Sequence, residues 1–262
     1  MTHVVAVAGV VLQGWLRRKE GYVLVLLLAG LQYAMASLGG GGDGSALYLF
    51  DSGLLLTWLL GWVIAIHAGA TELPGEEARG TVFLLLAKPL GRGALIAGKW
   101  LGAWIAVVLA TLTFYAVALL LAAAAGFVPP AAVLLQACLL HIVSLAVLTA
   151  LALAVSTRLN RDAAVSVTVA LALALYLVLP RVPQFAAYAH GWRTTALDAL
   201  YYALPHLELF DLRRRVLHGF GPLPADVTAK LVAYGAVWTC ALLAAAWLSY
   251  RHRRFRRDQL AE

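Results

Sequence analysis

An all-α, polytopic membrane protein is the fold class this sequence predicts, and three observations predict it. Of its 262 residues 63% are hydrophobic and only 13% charged, whereas soluble domains carry about 25% charged residues. The apolar residues gather in runs long enough to cross a bilayer as helices, which takes about 20 residues. Lysine and arginine cluster at the ends of those runs, on alternate connections. The net charge of +7 belongs to that topology signal and not to nucleic-acid binding. Both cysteines, Cys138 and Cys240, fall in apolar runs, so no disulfide framework is expected.

The N-terminus does not read as a cleaved signal peptide. Its first apolar run ends in Arg17-Arg18-Lys19-Glu20, the wrong polarity for a cleavage site. Val4 to Leu16 is too short to span. With Gln13 and the basic cluster it fits a helix lying at the interface, or an extension of the first span. Six spans follow within a single domain covering 1–262: Tyr22 to Leu38, Ser52 to Ala70, Trp100 to Phe127, Ala131 to Ser156, Ala163 to Leu179 and Val227 to Trp247.

The connections have their own signals. Gly39 to Gly44 cannot continue a helix, and Pro129-Pro130 makes a tight turn. Pro180 and Pro183 are expected to stop the fifth span. Ala65 and Gly69, and again Gly98 and Gly102, are spaced for close helix contact. Ser144, Thr149, Ser156 and Thr168 read as hydrogen bonders between helices. With both termini inside, Arg17, Arg18, Lys19, Arg79, Lys88, Arg92, Lys99, Arg158, Arg161 and the basic tail all face the cytoplasm. The short outer loops then hold no lysine or arginine, a positive-inside pattern. The tail suits anionic lipid headgroups.

The outer segment 181–224 carries arginines on the other side, where the charge rule is weaker because the loop is long. Within it, Leu204 to Arg213 reads as an amphipathic helix that lies on the outer leaflet or caps the bundle. Pro205 suits its first turn, Glu208 and Asp211 come early, the arginines come late and Gly219 can end it. Asp211 and Arg215 are spaced i,i+4 for an ion pair.

The most informative stretch is Thr71 to Lys99, TELPGEEARGTVFLLLAKPLGRGALIAGK. It holds Glu72, Glu76, Glu77, Arg79, Lys88, Arg92 and Lys99, and ionised groups are costly in hydrocarbon. Pro74-Gly75 is expected to break the helix leaving the membrane. Glu76 and Glu77 would then open a short helix, where the macrodipole favours anions. Val82 to Ala87 give that helix an apolar face, and Pro89 stops it. A merely solvated loop has little use for five consecutive apolar residues from Val82 to Leu86.

The order Glu76-Glu77-Ala78-Arg79-Gly80-Thr81, a leucine run, Lys88-Pro89-Leu90-Gly91-Arg92 and Gly98-Lys99 resembles the first cytoplasmic loop of type-2 ABC export permeases. The match is closest over this stretch; Phe83 departs from it, standing where many members have a polar or acidic residue. The resemblance implies a coupling helix that docks on a separate ATP-hydrolysing subunit. Glu76, Glu77, Arg79, Gly80, Thr81, Leu85, Pro89 and Arg92 would carry that contact. It further implies an N-terminal elbow helix, a homodimer or heterodimer of permeases in the inner membrane, and ATP and magnesium held by the partner subunit.

Other chemistries find less support. Gly93 to Lys99 matches most of a phosphate-binding loop, but Trp100 stands where the magnesium-binding hydroxyl belongs, and no strand precedes it. No cofactor is expected in this chain. His67, His141, His190, His206 and His218 lack paired metal-ligand spacing, and no nucleophile with a base can be assembled, so the chain does not read as an enzyme. A proton-coupled carrier would want ionisable residues in mid-span, yet Asp51 and Glu72 sit at span ends. The alternative is a membrane scaffold or assembly subunit that transports nothing. Trp58, Trp62, Trp104, Tyr115 and Tyr176 would suit an apolar cargo, though interface anchoring explains them as well.

Overall fold

The computed structural model describes residues 2–17, 20–38, 45–78 and 91–251. Among the described residues every regular element is helical. The chain opens with α1 (Thr2–Arg17) and α2 (Glu20–Leu38), followed by α3 (Ser45–Ala78), α4 (Arg92–Ala124) and α5 (Ala131–Ser156). Next, α6 (Arg161–Leu173) runs through a π turn (Ala174–Val178) and a 3-10 turn (Leu179–Arg181) into α7 (Val182–Tyr188). After α8 (Trp192–Ala203), a 3-10 turn (Leu207–Phe210) and α9 (Arg213–Leu217) lead to α10 (Ala225–Arg251).

Among the described residues, five stretches are long and apolar enough to cross a membrane: Ala46–Gly75, Arg92–Ala124, Ala131–Ser156, Arg161–Tyr188 and Ala225–Arg251. Only helices keep all their backbone groups paired within one segment there. The remaining expected span, α2, has 19 residues, about 28 Å at 1.5 Å per residue. The turns are local chemistry. Gly126, at φ 89°, closes α4 with Phe127 N–H on the Ala122 carbonyl and Gly126 N–H on that of Ala123, a Schellman ending. Asn160 caps α6, accepting from the Ala163 N–H at 3.0 Å, with Asp162 in the first turn.

The core lies between α3, α4 and α5, with α6 across α3 and α5, and α10 along α5. At the small-residue positions the helices touch backbone to backbone. A Cβ on Gly69 would fall 2.5 Å from the Thr149 carbonyl oxygen of α5. On Gly98 and Gly102 of α4 it would meet Val7 and the Ala8 carbonyl of α1, at 2.7 and 2.6 Å. The N-terminal helix is therefore seated on α4 by two missing side chains one turn apart. Gly102→Val is expected to displace α1 and cost roughly 1–3 kcal/mol, read as a lower thermal midpoint of the detergent-solubilised protein. Gly9→Ala, which meets nothing within 4 Å, is the control and should leave the midpoint in place.

Several local expectations are corrected. Pro74 does not end its helix: α3 continues to Ala78. Proline withholds one N–H donor and crowds the carbonyl four residues earlier, but Leu73 beside it is held at 1% exposure in a cluster with Leu95, Ile96 and Tyr250. Glu76 and Glu77 accordingly lie in the last turn of α3, not the first turn of a new helix. Pro180 and Pro183 do not stop the fifth span either. The π and 3-10 turns absorb the lost donors and keep Leu175, Leu179, Val182 and Ala186 buried on one side. The four hydroxyls of Ser144, Thr149, Ser156 and Thr168 bond back to carbonyls three or four residues earlier in their own helices. Bonds between helices come instead from Trp100 and Trp104 of α4, whose ring N–H groups donate to the Ala146 and Ile142 carbonyls of α5, both at 3.1 Å.

Candidate functional site

The expected partner-binding segment joins α3 to α4. Arg79, Gly80, Thr81, Leu85 and Pro89, with the expected short helix, lie outside the described residues. The end of the bundle where α3 stops and α4 starts is well defined, and we term it the root end. Lys99, about two turns into α4, is fully buried. Its ammonium lies 3.6 Å from the Glu72 carboxylate and 3.3 Å from the Glu72 carbonyl oxygen of α3. A buried lysine is tolerated only with such compensation, so this pair fastens the two stems of the segment to each other. Lys99 thus faces Glu72 inside the protein.

Arg92 opens α4, and its guanidinium turns inward to α10. It donates to the Tyr250 carbonyl at 3.3 Å and to the Arg251 carbonyl. Tyr250 itself is fully buried among Val7, Leu73, Leu95, Ile96 and Leu153. The root end therefore joins α1, α3, α4, α5 and α10 in one apolar cluster with two cationic fasteners at its rim. Among the expected contact residues, only Arg92 has a described side chain; those of Glu76 and Glu77 are not described.

At the opposite, far end the structure builds a cluster that sequence reasoning scattered. The segment 204–217 folds down as a cap, burying Leu207, Phe210, Leu212 and Val216. It is not the continuous helix expected from Leu204 to Arg213. A 3-10 turn gives way to extended backbone at Asp211, ψ 99°, before α9. That break sets the ion pair. The Asp211 carboxylate accepts from the Arg213 guanidinium at 2.9 and 2.7 Å, and from the Arg213 backbone N–H at 3.0 Å. Arg215, the partner expected from helical spacing, instead donates to the Gly221 carbonyl at 2.6 Å.

This pair hooks into the bundle. The Tyr176 hydroxyl, carried by the π turn, donates to Asp211 at 2.6 Å. The Arg213 guanidinium sits 4.5 Å above the Trp58 ring of α3, a cation–π contact. Trp58 packs on Trp62 at 4.3 Å and on Tyr176 at 4.7 Å between ring centres. Behind them His141 of α5 lies 3.3 Å from the Tyr115 hydroxyl, and its ring fits because residue 61 is glycine, where a Cβ would come within 3.1 Å. Burial pushes the Asp211 carboxyl up, but the bonds from Arg213 and Tyr176 outweigh it and hold the group below its ordinary value. Burial likewise opposes the charge on Arg213, and Asp211 reverses it, raising that group. Asp211 and Arg213 thus stay charged where the cap meets the spans. The signal available in the sequence was two opposite charges two residues apart, followed by a span; only the local backbone shows that they pair.

Two further ties hold the cap. Gln136 of α5 clasps the backbone of Leu223, accepting from its N–H at 2.8 Å and donating to its carbonyl at 2.9 Å. The His206 N–H donates to the Tyr234 hydroxyl of α10 at 3.0 Å. Among the described residues no group of histidine, cysteine and carboxylate side chains is arranged to hold a metal ion.

Residues 24–260 match the ABC-2 family transporter protein family. The chain is also 32% identical over 216 residues, 74% of each chain, to the probable ABC transporter permease protein NosY of Pseudomonas aeruginosa. The family match runs the length of the apolar bundle, from α2 through α10, and the chain belongs to the ABC-2 family of transporters as a membrane-spanning permease.

Proposed function

We propose that this chain is the transmembrane subunit of an ABC exporter that works as a dimer with a separate ATP-hydrolysing subunit. The observation that carries the reading is the family match over residues 24–260, combined with a charged segment rooted on two fastened helices. The segment 76–92 is the cytoplasmic handle in this reading, with both termini on the same side of the inner membrane. ATP and magnesium sit on the partner. The bundle is a single domain that supplies a path and no chemistry of its own. A displacement of the handle by the partner is delivered to α3 and α4 together, because Lys99 and Glu72 tie their ends.

Co-purification with the ATPase encoded beside it tests the reading. Replacing residues 79–90 by a glycine–serine segment of equal length should abolish ATPase association while the bundle keeps its thermal midpoint. Association that survives the replacement excludes the coupling role and favours a scaffold or assembly subunit.

A further inference from the structure

We propose that Arg92 makes α10 a push rod, which carries movement of the 76–92 segment through the membrane to the far-end cap. The inference rests on the coupling role argued above and adds a third helix to the moving parts, one remote in sequence from the segment.

The charge placement is the first argument. An arginine at the first residue of a helix faces the positive end of that helix's dipole, which disfavours it. Arg92 occupies that position in α4. Its guanidinium instead reaches across to the Tyr250 and Arg251 carbonyls of α10. The residue is placed poorly for its own helix, and both of these hydrogen bonds go to α10, so its geometry serves the joint. A second contact reinforces it. Gly93 lies against the Trp247 ring of α10, whose Cδ1 and Nε1 would stand 3.5 Å from a Cβ there, in ordinary van der Waals contact. The Arg251 guanidinium covers the Trp247 ring at 5.3 Å. Tyr250 locks the same turn into the apolar cluster with Leu73 and Leu95, one from each stem of the segment.

The far end of α10 is the second argument. The helix has 27 residues, a stiff element of about 40 Å. More than a third of the way along it, Gly235 lies under the cap, with the Phe210 ring 3.3 Å from where a Cβ would stand. Tyr234 receives the His206 N–H of the cap. One helix therefore touches the root of the segment at one end and the cap along its other half. A rigid rod fixed at both ends transmits a displacement; one loosened at the root does not.

The native cysteines allow a direct test. Cys240 is exposed on α10, and Val169 is exposed on α6. In a Cys138→Ser background, nitroxides on Cys240 and on Val169→Cys report the α10–α6 distance by pulsed EPR. The labelled chain is diluted with unlabelled chain and assembled with the ATPase. Trapping the ATPase with ATP and vanadate should shift the distance distribution in the parent. With the distance read only on labelled chain that carries the ATPase, Arg92→Gln should remove at least half of that shift at unchanged thermal midpoint, and Arg92→Lys should retain most of it. An Arg92→Gln shift equal to the parent's, or no shift in the parent, overturns the push rod and leaves the coupling role intact. Loss of ATPase association in Arg92→Gln would place Arg92 in the docking surface and overturn it too. Tyr250→Phe, which keeps the buried ring and both carbonyl acceptors, should behave as the parent. Failure of the parent itself to bind the ATPase would instead refute the coupling reading beneath the proposal.

Discussion

Asp211→Leu should destabilise the protein by about 3–5 kcal/mol, because it leaves the Arg213 charge half-buried without its counter-ion. The side chains of the pair are 12% and 17% exposed, so water cannot replace the lost carboxylate where it now sits. The Trp58 ring still attracts the guanidinium, but a cation–π contact contributes only about 0.5–2 kcal/mol. The Tyr176 hydroxyl loses its acceptor as well. Arg213→Leu alone strands the carboxylate in the same way. The double variant Asp211→Leu/Arg213→Leu removes both charges and should recover most of the loss, since apolar replacement of a buried pair is often neutral. Thermal midpoints of the three purified variants decide it; a double variant no better than either single one would mean that the pair is not the source. The pH dependence has a definite sign. Asp211 titrates below its ordinary value in the folded chain, so its contribution is complete above the unfolded-state value and is lost as pH falls through the lowered one. Between neutral and mildly acid pH the cap should therefore stay in place.

The same residues show where a linear reading runs out. Asp211 and Arg215 are four apart, and on a helix they would meet. The chain leaves helical geometry at Asp211, so the residue two along returns to the same side, as in a strand, and Arg213 takes the carboxylate. Nothing local in Leu204 to Arg213 signals that break. It goes with the burial of Leu207 in one cluster and of Phe210 and Leu212 in another. Pro180 is a parallel case. Proline predicts a stop because it withholds one donor, but a π turn restores the register at little cost when the flanking residues are packed.

What was legible is what depends on composition and on single side-chain sizes. Bilayer thickness dictates run length, so α3, α4, α5, α6 and α10 stand close to the apolar runs that announce them. Gly69, Gly98 and Gly102 announced close helix contacts because only a missing side chain permits them. Lys99 was legible as a charge and illegible as an ion pair, since Glu72 lies 27 positions away on the other stem. Arg92 is the hardest case. Its acceptors are backbone carbonyls on α10, 158 and 159 residues downstream, and backbone acceptors leave no mark in a sequence. The serine and threonine hydroxyls failed for a related reason: their own helix offers a carbonyl nearer than any neighbour does.

Gly69→Ala should cost roughly 1–3 kcal/mol although it adds one methyl group, because that methyl has nowhere to go. Its Cβ would stand 2.5 Å from the Thr149 carbonyl oxygen and 2.6 Å from the Ala152 Cβ. The first is backbone, already committed within α5, so relief requires the two helices to separate. Separation there exposes Ala70, Ala152 and Ala164, which pack together at the same crossing. Ala152→Gly in the Gly69→Ala background clears only the second clash and should restore less than half the loss, a partial rescue that a double-mutant cycle resolves. Gly30→Ala in α2 meets nothing within 4 Å and should be neutral or slightly stabilising, since alanine is the better helix former. The contrast matters for transport as well as stability. The Gly69 crossing lies between the root of the segment and the aromatic cluster at Trp58 and Trp62. Widening it should blunt any ATP-driven response of α3 by more than the stability loss accounts for, whereas Gly30→Ala should leave that response unchanged. Equal thermal midpoints for Gly69→Ala and Gly30→Ala would show that α3 and α5 are not in backbone contact there.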